Sequence, residues 1–215
     1  MKKPNEETLA AFGAELDVIR KNALNDLGER DANHIRRIIK IQRSCEILGR
    51  ISLMFGLNPI FWVTGVGLLS LSKILDNMEI GHNVLHGQYD WMNDPKINSK
   101  TYEWDIVCDS DSWTRTHNYE HHTYTNILGK DRDYGYGLLR LTHKEKWNPA
   151  HLFQFVHYIF LSLVFEFGVA LHELRLDEVM AGREKFRDKI PFLKAFGRKT
   201  FRQIFKDYIF FPIIA

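Results

Sequence analysis

Ile51-Ser52-Leu53-Met54-Phe55-Gly56-Leu57-Asn58-Pro59-Ile60-Phe61-Trp62-Val63-Thr64-Gly65-Val66-Gly67-Leu68-Leu69-Ser70-Leu71 is a run of twenty-one residues without a charge. That is about the span of a bilayer core. Asn58-Pro59 interrupts it, and a proline there either breaks the helix ladder or opens a new helix at its first turn. Two architectures follow: a single kinked span, or a hairpin with one helix before Asn58 and another running from Pro59 toward His86. A second apolar run, Leu152 to Leu171, is also long enough to span, but Gln154, His157 and Glu166 fall inside it. Ionisable groups at membrane depth face a protein interior or a polar cavity, so a partly embedded helix fits this run as well as a full span. The fold expected is all-α, a membrane-embedded helical protein.

Between the two runs, residues 87 to 150 are polar and rich in Trp, Tyr, Asp and Asn, with turn signals at Asn93-Asp94-Pro95 and Gly135-Tyr136-Gly137. This region is expected outside the hydrocarbon as a cap. Its Trp91, Trp104, Trp113 and Trp147 suit either the membrane interface or the core of that cap. Residues 1–44 read as an amphipathic helical lead. Ile35-Arg36-Arg37-Ile38-Ile39-Lys40 sets a basic face beside an apolar one, as an anionic lipid surface favours. Residues 45–215 form the membrane domain proper. Residues 36–50 and 173–207 are both basic, which places both on the cytosolic side. The polar cap lies between them, so hairpins or re-entrant helices at 45–75 and 152–172 are needed to keep all three on one side.

Composition narrows the function. Acids and bases nearly balance, for a formal charge of +2, which gives no reason to expect a nucleic-acid partner. Cys45 and Cys108 are far apart and form no C-x-x-C pattern, against a disulfide scaffold or a cysteine zinc site. The chain holds ten histidines, and five of them fall in two clusters. His82 and His86 are four apart and share one helix face, so two imidazoles can grip one metal. His117 and His121 repeat the spacing. His122 sits about 100° around the helix from His121 and can reach a second metal. Imidazole-rich sites suit iron, zinc, copper or nickel. A zinc-protease helix carries glutamate after its first histidine, where this chain has Asn83. A soluble di-iron carboxylate bundle needs two Glu-x-x-His motifs, and Glu79-x-x-His82 has no counterpart at the second cluster. Histidine clusters just beyond a lipid-buried helix point instead to chemistry on a lipid.

From about residue 45 onward the chain resembles the membrane fatty acid desaturase family, and most closely its bacterial acyl desaturases. The residues that carry the likeness run from Lys73 to Pro95, around Gly81-His82-Asn83-Val84-Leu85-His86-Gly87, which looks like the family's first histidine box. His117-Asn118-Tyr119-Glu120-His121-His122 looks like the second, followed by Asn126 and Gly129-Lys130-Asp131-Arg132-Asp133. The resemblance implies a di-iron enzyme with O2 as co-substrate, whose box histidines ligate iron in a cytosolic cap held by membrane helices. It implies removal of two hydrogens from an acyl chain carried on CoA or lipid. Electrons would come from a ferredoxin-like or cytochrome donor with its reductase. Asp76, Glu79, Asp131 and Asp133 are the candidate partners that orient the imidazoles.

The family also carries a third box of the form H/Q-x-x-H-H, which this sequence lacks. His34, His143, His151, His157 and His172 stand singly. Of these, His172 is a candidate additional metal ligand. Five imidazoles fall short of two irons with five or six donors each, so the chain is expected to be a truncated or split product, inactive alone. A hydroxylase of the same di-iron class and a non-catalytic membrane metal-binding protein are the rival readings.

Overall fold

The computed structural model describes residues 5–214; Met1 to Pro4 in the amphipathic lead and Ala215 lie outside the described residues. The described chain is helical and has no strand. Helix α1 (Glu6–Asp26) is capped by Asn5, whose side chain accepts from the Thr8 N–H at 2.7 Å. It buries none of its residues and leaves Leu9, Phe12, Leu16, Val18, Ile19 and Leu24 exposed.

Helix α2 (Glu29–Leu53) and helix α3 (Pro59–Ile74) pack as a hairpin, which decides between the two architectures open at Asn58-Pro59. Asn58 accepts from the Ile60 N–H at 2.9 Å, and Pro59 occupies the first turn, where its missing N–H costs nothing. The helices cross closely at Gly65. A Cβ there would lie 2.7 Å from Leu53 Cγ and 3.0 Å from the Gly49 carbonyl. The buried Gln42 side chain donates to Ser72 Oγ across the same crossing, at 3.0 Å.

The chain passes from α3 through a π-helical turn, Leu75–Gly81, into α4 (His82–Leu85). The combined helix, Pro59–Leu85, has 27 residues and is long and apolar enough to cross a membrane; at 1.5 Å per residue it is about 40 Å long. Ile47, Leu48, Ile51 and Phe55 on α2 and Ile60, Phe61, Trp62, Val63 and Val66 on α3 are all exposed. An apolar surface this continuous marks contact with lipid, and the chain is membrane-associated. Helix α5 (Ser110–Trp113), a π-helical segment Thr114–His121 and α6 (His122–Tyr124) follow in the cap. The second apolar run forms α7 (Gln154–Leu163) and α8 (Phe165–Glu173), bent by 92° at their junction, a broken or re-entrant arrangement. Short α9 (Leu176–Met180) leads to basic α10 (Phe186–Gln203), a π-helical segment Ile204–Phe210 and α11 (Phe211–Ile214).

The buried core sits in the cap, over the end of α4. Leu85, Trp104, Ile106, Val107, Cys108, Trp113 and Ala170 form one cluster, and Ile35, Ile80, Val84 and Ile97 form a second that ties α2 to α4. Trp104 and Trp113 are therefore core residues, while Trp91 and Trp147 are exposed. Both cysteines are buried and free.

The cap is fastened to the helices below by charge. Asp105 takes Lys73 (3.2 Å) and Lys206, and Arg50 joins α2 to Asp207 at 3.0 Å. Burial alone would raise the Asp105 carboxyl, but the Lys206 hydrogen bond and the two lysine charges overrule it and hold the group at about 2.

Candidate metal centre

Two helical segments deliver the five clustered histidines. The first is α4, which continues directly from the π-helical turn 75–81. Gly81 is required at that joint: a Cβ would lie 2.9 Å from both Trp104 Cε3 and the Asp76 carbonyl. The indole wedged there donates its Nε1–H to the Cys108 carbonyl at 2.8 Å, which fixes the loop that leads to the second segment. The second is the π-helical turn 114–121, where the His122 N–H reaches back to the His117 carbonyl. Wide turns of this kind recur at functional sites, and here one underlies each histidine group. Asn118, inside the second group, donates to the Leu85 carbonyl at 2.8 Å and locks the two segments together.

All five rings converge. His82 and His86 lie 4.5 Å apart between centroids, His82 and His117 5.2 Å, His86 and His117 5.3 Å, and His86 and His122 4.7 Å. His121 closes the group at 5.0 Å from His117 and 5.2 Å from His122. The Nε2 atoms of His82 and His86 face one another at 3.1 Å. Trp113 stacks on His117 at 4.3 Å and presents its edge toward His82 and His86, forming an apolar wall.

The second group is braced from behind. His117 Nδ1 meets Asp133 Oδ2 at 2.7 Å, and His121 Nδ1 meets both Asp131 oxygens at 3.0 Å. A carboxylate on one ring nitrogen fixes the tautomer and leaves the other nitrogen as a lone-pair donor. Asp131 is held in turn by the backbone N–H groups of Asn126 (2.7 Å) and Asp133 (3.0 Å). Burial opposes its charge, but these hydrogen bonds and that of His121 keep the carboxyl below its ordinary value. Asp76 and Glu79, the other two expected partners, bond no histidine. Asp76 is buried with one oxygen unpartnered, and Glu79 offers only its carbonyl, to Asn83.

Burial first, then the neighbouring rings, push His86 down to about 4, and the same causes lower His122. Rings with inward nitrogens, among which His82, His86 and His117 offer donors within 4.8 Å of one another, fit a transition metal. His172 is not part of this gathering. Its donor atom lies with Asp133 and Glu173 in a separate group, and its ring meets Tyr136 edge-on at 5.3 Å. His151 serves the Asn148 turn, and the His157 Nδ1 is buried without a partner. Periodicity flagged the five histidines, whereas the roles of Trp113 and Asn118 had no signal in their local sequence.

A lipid-facing helical body that holds a converging imidazole cluster over the end of its apolar helix fits the class of membrane proteins with a metal site. Comparison with known proteins narrows the class. The chain is 47% identical over 203 residues to the NADPH-dependent stearoyl-CoA 9-desaturase of two Mycobacterium tuberculosis strains, an alignment that takes in 94% of this chain and 48% of the relative. It is 31% identical over 132 residues to the sn-1 linoleoyl-lipid 6-desaturase of a Synechocystis strain, covering 59% of this chain and 35% of that protein. No family model and no solved structure matches it. The chain belongs to the fatty acid desaturase family, and it spans about half the length of the curated relatives it matches.

Proposed function

We propose that the chain carries the first two histidine boxes of an O2-dependent acyl desaturase, within a desaturase-like portion that runs from residue 45 and follows an amphipathic lead. One observation supports this above the others: five imidazoles converge above a lipid-exposed helix, two of them with their outer nitrogens bound to carboxylates. His82, His86, His117, His121 and His122 would hold iron, and His172 would act apart from them. The iron pair, when bound, supplies the oxidation that side-chain acids and bases cannot perform on an unactivated methylene.

The chain's own residues perform the rest. Asp133 and Asp131 hold the Nδ1 protons of His117 and His121, so that the Nε2 lone pairs face inward. Trp113 excludes water from one side of the cluster. Asn118 sets the distance between the two helical segments. Because the relatives act on stearoyl-CoA and on a lipid-borne linoleoyl group, the substrate class is a long acyl chain on CoA or on a membrane lipid. The cap faces the cytosol, where a ferredoxin-like or cytochrome donor and its reductase supply electrons drawn from NADPH. Donors beyond these five imidazoles complete the two-metal set.

The test is made in membranes that contain the protein, supplied with NADPH, a reductase and electron donor, O2 and a perdeuterated stearoyl substrate. The account expects iron retained through purification, no desaturated product from this chain alone, and a product with one double bond, short of two deuterium atoms, once a polypeptide that supplies the further donors is present. A hydroxylated product would favour the sister oxygenase, and a protein that holds no iron would favour a non-catalytic role.

A further inference from the structure

A second gathering of donors lies apart from the imidazole cluster. Asp133, His172 and Glu173 each bring one ligand atom, and the three atoms lie within 4.8 Å of one another. Two of these side chains carry an unsatisfied atom: His172 Nε2 and Glu173 Oε2 are buried with no hydrogen-bond partner, and Glu173 as a residue is only 3% exposed. A buried carboxyl oxygen without a partner costs on the order of 1–3 kcal/mol, so this one calls for an occupant, be it a proton, a water or an ion.

The cations nearby do not fill it. Arg132 is bound to Asp177 and Glu178, and Arg175 to Glu120 and Glu184. Arg115 reaches the Glu173 main-chain carbonyl and leaves its carboxylate alone. Asp133 already accepts from His117 Nδ1 with Oδ2, which puts the second gathering on the Nδ1 side of that ring. One imidazole and two carboxyl groups make up the donor set, and their ligand atoms lie close enough together to close on a common ion. Such a donor set fits a divalent first-row transition metal.

We infer that Asp133, His172 and Glu173 form a second, mixed carboxylate–imidazole metal site, distinct from the five-histidine cluster. The inference does not depend on the desaturase reading, because it concerns metal binding alone. A metal here would draw on Asp133 from the side opposite His117 and so link the two sites through one carboxylate.

Cobalt(II) is the probe, titrated into detergent-purified, chelator-stripped full chain, with bound metal counted by equilibrium dialysis and followed by visible absorption. The site predicts that the wild type binds one more equivalent than Glu173→Gln, whose amide keeps the shape of the acid. His172→Ala should lose or weaken the same class at least about tenfold. The double variant His82→Ala/His86→Ala should retain it. Circular dichroism verifies that each variant folds. Equal stoichiometry in the wild type and a folded Glu173→Gln would mean that only water or a proton occupies the gathering, and would overturn the inference.

Discussion

The two histidine groups meet at one point but are built differently. His117 and His121 are each fastened through Nδ1 to a carboxylate, and Asp131 is itself pinned by two backbone N–H groups. His82 and His86 have no acid behind them. They are placed by the helix that carries them, by the edge of Trp113 and by each other, with Nε2 atoms 3.1 Å apart. The second group is held by its acids, whereas the first is held by its helix and the neighbouring rings. Metal affinity should therefore respond to neutralised acids on one side and to helix packing on the other.

The largest effect should come from the ligands themselves. His86→Ala or His117→Ala should abolish tight retention of iron, read as metal per chain after purification. Next, Asp133→Asn and Asp131→Asn should each weaken metal binding by about 10- to 100-fold, measured by competition with a chelator of known affinity. Glu79→Gln, beside the first group, should leave it unchanged. A Glu79 effect as large as that of Asp133 would erase the contrast between the two groups.

Gly81→Ala tests the packing side. Its Cβ would meet Trp104 and the Asp76 carbonyl, and overpacking of this kind costs about 1–3 kcal/mol. The thermal midpoint in detergent should fall, and metal should be lost from the first group before the second.

The helical class, the hairpin break at Asn58-Pro59 and the grouping of five histidines were legible in the sequence, because each is a local pattern of spacing or capping. Four acids were candidate supports for the imidazoles, and only Asp131 and Asp133 serve. Asp76 and Glu79 lie within six residues of His82, but nearness along the helix does not place a carboxylate behind a ring. The π-helical turns left no mark in the hydrophobic pattern, since they alter the backbone pitch and not the residue types. His172 is a candidate additional ligand by its place at the end of an apolar run. Its association with Asp133 and Glu173 depends on how α8 meets the cap, across 39 residues of chain from Asp133.

A smaller effect separates the cap's fastening from the metal site. The folded Asp105 carboxyl lies below its unfolded value, so its contribution is full above about pH 4 and is lost as pH falls toward 2. The loss is at most about 2 kcal/mol, and less after solvent screening. Asp105→Asn should flatten that acid limb of the unfolding profile while leaving metal affinity at pH 7 as it was.

The most direct measurement is X-ray absorption at the iron edge of the purified, iron-loaded chain. If the five imidazoles hold the metal, the spectrum will show multiple-scattering features of several imidazole rings per iron, reduced in His86→Ala and in His117→Ala. A first shell of oxygen alone, or a spectrum unchanged by both substitutions, would contradict the account.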